Sequence, residues 1–461
     1  ILYTASLKSP SPFDWSGKGE GNRAFNNNIF DLTVDTGKGN PGAIGIDYLA
    51  NNNGSIRNVK IVSGDGQGYA GLALIRKSPG PAFIKNLTVE GFDYGIKSEY
   101  VTYISTFEHI TLRNQKIAGI GNVNHVFAIR DLQSDNSVPA IIQDGKSGFI
   151  TLIDSALRGA SSQNAIDNRQ GEVFLRNITI SPGASISEYY SFQDIPQYTY
   201  SLFDTLKKSL NLSVQETPEV PWDSVDAWIN VQDYGANGSG RKDFDNALAV
   251  QKAIDDAARL GKTTLYFPKG LYAFGDTIRI RGNIRRVHFM SSSLGIVNSS
   301  ANKFGDGRPL VVIEDGSHPV VVIEGAGRTF DTGATAGPKY QIKHISSKTL
   351  VMRNMGGNYE NVPGSGPVFF EDMQGGASVF RSTKVWARQL NYESNAPQQK
   401  SEDRQNTTKL VNEGSDLWIL GLKTEGPTVV IETTKAGKTE VIGGLIYPVG
   451  AVPTNMPAFI N

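Results

Sequence analysis

Short apolar segments recur along the first half of the chain at nearly constant spacing. Each has an apolar first residue and mostly apolar fourth and sixth residues. The segments are Ile29–Val34, Ile56–Ile61, Ile84–Val89, Phe107–Leu112, Ile129–Ser134, Leu152–Leu157 and Leu175–Ile180. Their starts lie 22 to 28 residues apart. Alternating apolar side chains are typical of a β-strand with one face in a core, so we predict one such strand in each coil of a solenoid.

The third residue of these segments predicts where each coil bends. It is a short polar residue or histidine in all seven: Asp31, Asn58, Asn86, His109, Asp131, Asp154 and Asn177. Such side chains can bond their own backbone at a turn. We therefore predict stacked bends whose side chains also bond one another.

A second register shows that each coil holds at least two strands. A small residue precedes an aliphatic one at Gly45-Ile46, Gly71-Leu72, Gly95-Ile96, Gly119-Ile120, Ala140-Ile141 and Ala165-Ile166. Leucine-rich repeats have a similar length but require a Leu and Asn consensus. The pattern instead favours an all-β fold, with a right-handed parallel β-helix over residues 1–187.

The repeat stops after residue 187 and a second β-helix is predicted over residues 229–461. Tyrosine and proline accumulate in the linker, residues 188–228, where a short helix is predicted at 202–210. Aromatic side chains are costly in water, so we expect this linker to lie along the first β-helix. An apolar stripe near 245–260, ended by Gly261, predicts a helix that caps the second β-helix.

Composition narrows the possible partners. The chain has 45 basic and 45 acidic residues and no cysteine, and it lacks an apolar run of membrane-spanning length. These features favour a neutral, polar partner over nucleic acid or a membrane. The histidines lack zinc-site spacing, and we predict no metal and no cofactor. The chain begins at Ile1 without an initiator methionine, so we expect the start of the first β-helix to be missing.

Two strings in the second half carry a family resemblance. Val231-Gln-Asp-Tyr-Gly-Ala-Asn-Gly238 and Tyr266-Phe-Pro-Lys-Gly-Leu-Tyr272 resemble the N-terminal signature of the pectate-lyase-like superfamily. A β-helix start at mid-chain is similar to glycoside hydrolase family 55, whose members pair two β-helices and cleave β-1,3-glucan. The resemblance implies a secreted or periplasmic, exo-acting, inverting hydrolase of a neutral polysaccharide, with its site in the cleft between the two β-helices.

The same resemblance indicates catalytic residues. In family 55 the general acid follows a Leu-Trp-x-x-Gly strand, and Glu425 stands at that spacing after Leu417-Trp-Ile-Leu-Gly421. Gly426 replaces the histidine of the family pattern. Glu393 lies one coil and a loop earlier, and direct stacking would bring it within about 5 Å of Glu425. Such proximity favours the protonated form of one carboxyl group, as an acid catalyst requires.

Other residues are candidates for substrate binding. Arg388 and Gln389 could hold sugar hydroxyls, and Trp386 and Trp418 could stack on sugar rings or pack between coils. Of the adjacent acidic residues Glu371 and Asp372, at most one could face a groove. In the first β-helix, family 55 uses a glutamine to position water, but Tyr103 or its neighbours stand there. Gln115, Asn124 and His125 are the remaining candidates on the cleft side, with a structural role as the alternative for each.

Two other functions stay open. One is a polysaccharide lyase that acts on uronates with calcium, although such a site would require clustered acidic and basic residues. The other is a non-catalytic glycan-binding or tailspike-like rod. The oligomeric state is not predicted.

Overall fold

The computed structural model describes residues 2–4, 24–77, 79–99, 103–159, 164–181, 184–191, 195–196, 209–300, 304, 307–327, 341–393, 408–452, 454 and 456–461. The chain divides into two compact units. The first comprises residues 1–210, 420–423 and 441–445, and the second comprises 211–419, 424–440 and 446–461.

The first unit is built from short strands that stack in two long sheets. Its strands are β1 Leu2–Tyr3, β2 Asn27–Asp35, β3 Ile44–Asp47, β4 Gly54–Val62, β5 Ala70–Leu74, β6 Ala82–Glu90, β7 Tyr94–Ser98, β8 Ile104–Arg113, β9 Ala118–Val123, β10 Val126–Asp135, β11 Ile141–Asp144, β12 Phe149–Arg158, β13 Asn164–Asn168, β14 Glu172–Ser181, β15 Ala184–Ser191 and β16 Ile195–Pro196.

Alternate strands of the first unit join the same sheet. One sheet has the order β1-β3-β5-β7-β9-β11-β13-β16 and the other runs from β2 through the even-numbered strands to β14 and then β15. Neighbours are parallel except at the end, where β15 and β16 pair antiparallel with β14 and β13. This arrangement confirms a parallel β-helix with two registers of strands.

Side chains of one register stack into the core of the first unit. Ile56, Ile84, Phe107, Ile129, Leu152 and Leu175 are directly paired from strand to strand. All are fully buried. Each coil thus extends the apolar column of the coil before it. The coils depend on this stacking, because a single coil could not bury its apolar face alone.

The predicted bends form what we call the first bend ladder, Asp31, Asn58, Asn86, His109, Asp131, Asp154 and Asn177. All seven residues have φ between 52° and 58°. Asn, Asp and His are the non-glycine residues that best tolerate this left-handed region. Asn58 donates to Asp31 and Asn86 donates to Asn58, each at 2.7 Å. The predicted bonding between coils is therefore confirmed.

The second β-helix has the same construction, with one α-helix after its first strand. By strand pairing it also includes residues 420–423 and 441–445, which the division into compact units assigns to the first unit. Its elements are β17 Trp228–Asn230, α1 Ala247–Arg259, β18 Thr264–Tyr266, β19 Leu271–Phe274, β20 Ile278–Gly282, β21 Arg286–His288, β22 Ser293–Ile296, β23 Val311–Gly316, β24 Val320–Glu324, β25 Ile342–His344, β26 Thr349–Gly356, β27 Tyr359–Asn361, β28 Val368–Gly375, β29 Ser378–Arg381, β30 Lys384–Glu393, β31 Leu410–Glu413, β32 Asp416–Glu425, β33 Ile431–Thr434, β34 Lys438–Tyr447 and β35 Phe459–Ile460. Short 3-10 helices span Val225–Ala227, Val231–Tyr234 and Asn298–Ser300.

Two long sheets again run along the unit. The larger, here the long sheet, has the order β17-β18-β21-β24-β26-β28-β30-β32-β34 among the described residues. The other has the order β20-β23-β25-β27-β29-β31-β33-β35, and a two-stranded sheet pairs β19 with β22. The pairs β21–β24, β24–β26, β26–β28, β28–β30 and β31–β33 are all parallel. The chain therefore contains two tandem parallel β-helices, as predicted.

Helix α1 lies at the start of the second β-helix. It packs against β17 and β20, the first strands of the two long sheets. Asp245 accepts hydrogen bonds from the backbone of both Ala247 and Gly275 (2.9 and 2.7 Å), which joins the helix start to the coils. Gly261, at φ 67°, follows its C-terminal end. No described helix is long and apolar enough to cross a membrane.

The beginning of the linker and its later part belong to different units. Its beginning extends the first β-helix, because β15 pairs with β14 and Tyr189 packs against that core. The part that we call the covering segment, residues 211–223, belongs to the second unit and lies on the long sheet. For this part, the expectation that the linker lies along the first β-helix stays a prediction. The helix predicted at 202–210 falls mostly outside the described residues.

Candidate functional site

A row of charged side chains crosses the long sheet. Glu324, Arg353, Glu371 and Arg388 occupy paired positions on β24, β26, β28 and β30, and His288 precedes them on β21. The charges alternate in sign, and all but His288 are buried. Buried charges require partners, so this row must be held together by ion pairs and hydrogen bonds.

Glu324 is the best connected member of the row. Its carboxylate accepts from Arg286 at 2.5 Å and from Arg353 at 2.7 Å. Burial opposes ionisation, but His288, Arg353 and Arg286 hold the pKa of this carboxyl well below its ordinary value. Glu324 is therefore a fixed negative charge and is unsuited to donate a proton.

The covering segment closes the row from outside through its main-chain carbonyls. Arg286 donates to the carbonyl of Val220 (2.5 Å), and Arg388 donates to that of Gln215 (2.7 Å). Arg388 is fully buried. Contact between Arg388 and a sugar would require the covering segment to move.

Asp223 fastens the end of the covering segment. Its carboxylate accepts from Thr263 and Thr264 (2.8 and 2.6 Å) and pairs with Arg285. Burial opposes its ionisation, yet Arg285 and the two threonines lower the pKa of Asp223 to about 2. The contact therefore persists through neutral and mildly acidic pH.

Asp372 and Gln389 occupy bends of the second unit. Together with Asn354 they directly follow Arg353, Glu371 and Arg388, and their φ values are 50° to 53°. Asn354 donates to Asp372 at 3.0 Å. Gly421 and Gly443, the sixth residues of β32 and β34 as Gln389 is of β30, also have positive φ. We call Asn354, Asp372, Gln389, Gly421 and Gly443 the second bend ladder.

Trp386 and Trp418 are buried near the starts of β30 and β32. Trp386 stacks on Phe369 with ring centroids 4.9 Å apart, and its indole nitrogen donates to the Ser213 carbonyl at 2.8 Å. Both tryptophans line one small cavity. Their rings are buried and do not present an exposed face on which a sugar could stack.

Gln115 and His125 lie inside the first unit. The Gln115 amide donates to the carbonyls of Gly91 and Arg113 (2.9 and 2.8 Å). The fully buried His125 ring contacts Ser105 at 3.2 Å. The contacts hold the Gln115 amide nitrogen and the His125 ring within the β-helix, while the buried Gln115 Oε1 accepts no hydrogen bond from the described residues. Substrate binding by either residue stays a prediction.

Glu393 and Glu425, in contrast, are brought together by the fold. Each is the last residue of a ten-residue strand, and these strands, β30 and β32, are neighbours in the long sheet. Both side chains are partly exposed while most residues before them are buried. This strand-end pair is the candidate site.

A buried lysine, which sequence reasoning missed, lies beside this pair. The Lys409 ammonium group donates to the carbonyl of Tyr392 at 3.1 Å and to that of Glu425. It thereby connects the two strand ends and fixes the backbone that carries both carboxylates. The Asn391 amide also donates to Glu393 at 3.2 Å. Neither residue belongs to a sequence motif that could have indicated it.

The backbone conformation of residue 426 explains why glycine stands where the family pattern has histidine. Gly426 has φ 86°, and its N–H donates to the Tyr447 carbonyl at 3.2 Å. Glycine adopts this conformation without the steric cost that a histidine would have. The turn after Glu425 is therefore built around glycine.

The aromatic pair and the carboxylate pair are far apart. Seven residues separate Trp386 from Glu393 on β30, and seven separate Trp418 from Glu425 on β32. At about 3.3 Å per residue this is roughly 23 Å along the strands, and less in a straight line because both strands bend, at Gln389 and Gly421. The predicted site residues of the second β-helix thus form two groups.

Comparison with known families bears on the second β-helix. Residues 228–314 match the family model described as rhamnogalacturonase A/epimerase, pectate lyase-like. This supports the pectate-lyase-like superfamily. The match begins at Trp228, where the second β-helix starts, and ends before the strand-end pair. Curated proteins give no significant match. The match suggests a carbohydrate-active β-helix protein, whereas the narrower resemblance to glycoside hydrolase family 55 stays a prediction.

Proposed function

We propose that this protein is a secreted glycoside hydrolase that acts on a neutral polysaccharide of the β-1,3-glucan type. One observation carries the proposal: Glu393 and Glu425 end adjacent strands, and Lys409 ties the two ends together. Glycoside hydrolysis requires two carboxyl groups on a rigid support. Strand ends of a β-helix provide such a support.

Glu425 acts as the general acid in this proposal. Its proton passes to the glycosidic oxygen as the bond from that oxygen to the anomeric carbon breaks. Glu393 accepts a proton from the water whose oxygen forms the new bond to that carbon. Glu425 ends ionised and Glu393 protonated, so the atoms and charges balance.

The proposal includes inversion, which imposes a geometric requirement. Neighbouring strands lie about 4.8 Å apart, whereas inverting enzymes separate their carboxyl groups by about 6.5–9.5 Å to admit a water molecule. The two side chains must therefore diverge as they leave the sheet. Release of a sugar with retained anomeric configuration would contradict this part of the proposal.

Reducing-sugar release from laminarin and from polygalacturonate, each with and without EDTA, tests the function. We expect release from laminarin that EDTA does not change. Glu425→Gln should lower the rate about 10²- to 10⁴-fold, the usual contribution of a general acid. Glu90→Gln is the matched control, because Glu90 is the partly exposed last residue of β6 in the first β-helix; it should leave the rate unchanged.

The same assay separates the alternatives. EDTA-sensitive cleavage of polygalacturonate alone would favour the lyase. Polygalacturonate is included because the matched family model is described as rhamnogalacturonase A/epimerase, pectate lyase-like. No cleavage of either polymer would favour a non-catalytic rod. Full activity of Glu425→Gln on laminarin would refute the assignment of the acid.

A further inference from the structure

The strands that carry Glu393 and Glu425 also have a polar groove at their opposite ends. Ser365, Ser382, Thr383, Lys384 and Asp416 line an open space of about 390 Å³. Lys384 and Asp416 are the first residues of β30 and β32. The groove thus lies at the N-terminal ends of the two strands, away from the strand-end pair.

A smaller cavity adjoins the groove on the same face of the sheet. It has a volume of about 40 Å³ and shares Lys384 and Asp416 with the groove, while Trp386 and Trp418 form its inner walls. Side chains two residues apart point to one face of a strand. Lys384 with Trp386, and Asp416 with Trp418, therefore form two matching pairs on neighbouring strands.

One residue that lines the cavity, Trp418, has an unsatisfied donor. Trp418 is 1% exposed, and among the described residues its indole N–H has no hydrogen-bond acceptor. Buried N–H groups are paired in the great majority of cases. About 40 Å³ is room for two or three water-sized groups, since each needs roughly 10–15 Å³ of such space. A hydroxymethyl or hydroxyl group of a ligand would fit in this volume. Because the indole nitrogen is itself enclosed, the ring must turn slightly toward the cavity for its N–H to meet that acceptor.

The outer residues are also available for a ligand. The exposed side chains of Lys384 and Asp416 make no hydrogen bond or ion pair with other residues in the part of the chain that the structure describes. One is a cation and the other an anion, and they stand at equivalent ends of adjacent strands. Because the positive charge of Lys384 offsets the negative charge of Asp416, the groove has hydrogen-bond donors and acceptors but no net charge that would favour a charged ligand.

We propose that this groove and cavity form a binding subsite for a neutral saccharide, separate from the strand-end pair. A sugar hydroxymethyl group enters the cavity and accepts a hydrogen bond from Trp418, while Lys384 and Asp416 bond hydroxyls in the groove. The subsite lies roughly 23 Å along the strands from Glu393 and Glu425. It therefore anchors a polysaccharide at a point remote from cleavage, and it goes beyond the proposed hydrolysis.

Affinity electrophoresis of the full chain in gels with laminarin or polygalacturonate tests this proposal without requiring turnover. The Glu425→Gln background prevents cleavage during the run, and binding by this subsite does not depend on that residue being the acid. We expect retardation by laminarin. Lys384→Ala and Asp416→Ala should each weaken it about three- to tenfold, which is the loss of one or two hydrogen bonds. Lys438→Ala is the matched control, since Lys438 is the exposed first residue of the next strand, β34.

Trp418→Phe separates ligand binding from packing. It retains an aromatic ring but removes the N–H that lacks an acceptor, so the melting temperature without ligand should stay equal or rise. Laminarin binding should nevertheless weaken about three- to tenfold. Unchanged laminarin binding in all three variants, as expected if the cavity holds only water, would overturn the proposal. Stronger retardation by polygalacturonate than by laminarin would also overturn it.

Discussion

The two bend ladders have the same backbone conformation in different surroundings. In the first, φ is 52° to 58°, and the side chains of Asn58 and Asn86 are exposed. In the second, Asn354, Asp372 and Gln389 have φ of 50° to 53° and are 7%, 1% and 1% exposed. The left-handed bend therefore selects the residue type, and burial decides how much each side-chain contact contributes.

The comparison extends to the residue before each bend. Glu324, Arg353, Glu371 and Arg388 have counterparts in the first unit, where Glu108 pairs with Arg130 at 2.7 Å directly before His109 and Asp131. A charged row before the bend is thus a property of these coils. Its presence on the long sheet indicates a structural function rather than a catalytic one.

Removal of Glu324 should produce the largest effect. Glu324→Gln keeps the size of the side chain but leaves the buried Arg286 and Arg353 without their carboxylate. The expected loss in the free energy of unfolding is about 3–5 kcal/mol, as for other broken buried ion pairs. Urea denaturation measures it. Glu314→Gln, which removes the more exposed pairs with Arg279 and Arg281, should cost under about 1 kcal/mol; similar losses in both variants would contradict the importance of the row.

The buried histidine of β25 should make the second unit sensitive to acid. His344 is fully buried between the hydroxyls of Tyr359 and Ser346, and burial lowers its pKa to about 4. The unfolded chain binds a proton near pH 6.5, whereas the folded protein resists protonation until about pH 4. The free energy of unfolding should therefore fall by about 3 kcal/mol between these values. Denaturation at several pH values should show a flatter profile for His344→Gln; an equally steep one would refute this source of the slope.

Substitution by glycine at one bend of each ladder separates the contribution of the backbone conformation from that of the side-chain hydrogen bond. Asn86→Gly should cost only about 0.5–1 kcal/mol, because water replaces the exposed bond to Asn58. Asp372→Gly should cost about 1–3 kcal/mol, because Asn354 loses a buried acceptor. Thermal denaturation compares the two, with Asn86→Ala as a check on the left-handed strain. Equal costs would show that burial does not distinguish the ladders.

A small effect is also expected at the covering segment. Trp386→Phe retains stacking on Phe369 but removes the hydrogen bond to the Ser213 carbonyl. We expect a loss of about 0.5–1.5 kcal/mol, together with faster proteolysis within residues 211–223. Proteolysis unchanged from that of the unsubstituted chain would mean that this bond does not hold the segment.

The first β-helix was predictable because its signal is local and repeated. A polar residue recurs at the third position of seven segments, and the periodicity shows the coils. In the second unit the same bend is occupied by asparagine, aspartate, glutamine and glycine. With no repeated residue type to recognise, Asp372 and Gln389 resembled binding residues.

Other features could not be predicted because no side-chain pattern records them. The covering segment is held partly through the carbonyls of Ser213, Gln215 and Val220, and any residue type has a carbonyl. Lys409 likewise bonds main-chain oxygens. The carboxylates Glu393 and Glu425, by contrast, were predicted from the sequence: Glu425 from its spacing after the Leu-Trp-x-x-Gly strand of the family resemblance, and Glu393 from its place one coil and a loop earlier.

The rate of Glu425→Gln on two substrates with different leaving groups tests the central claim most directly. An acid catalyst matters when the leaving oxygen needs a proton, as in laminarin, and matters little for a dinitrophenyl β-glucoside. We expect a loss of about 10²- to 10⁴-fold on laminarin and a much smaller loss on the aryl glucoside. Equal losses on both substrates, or no loss on laminarin, would contradict Glu425 as the general acid.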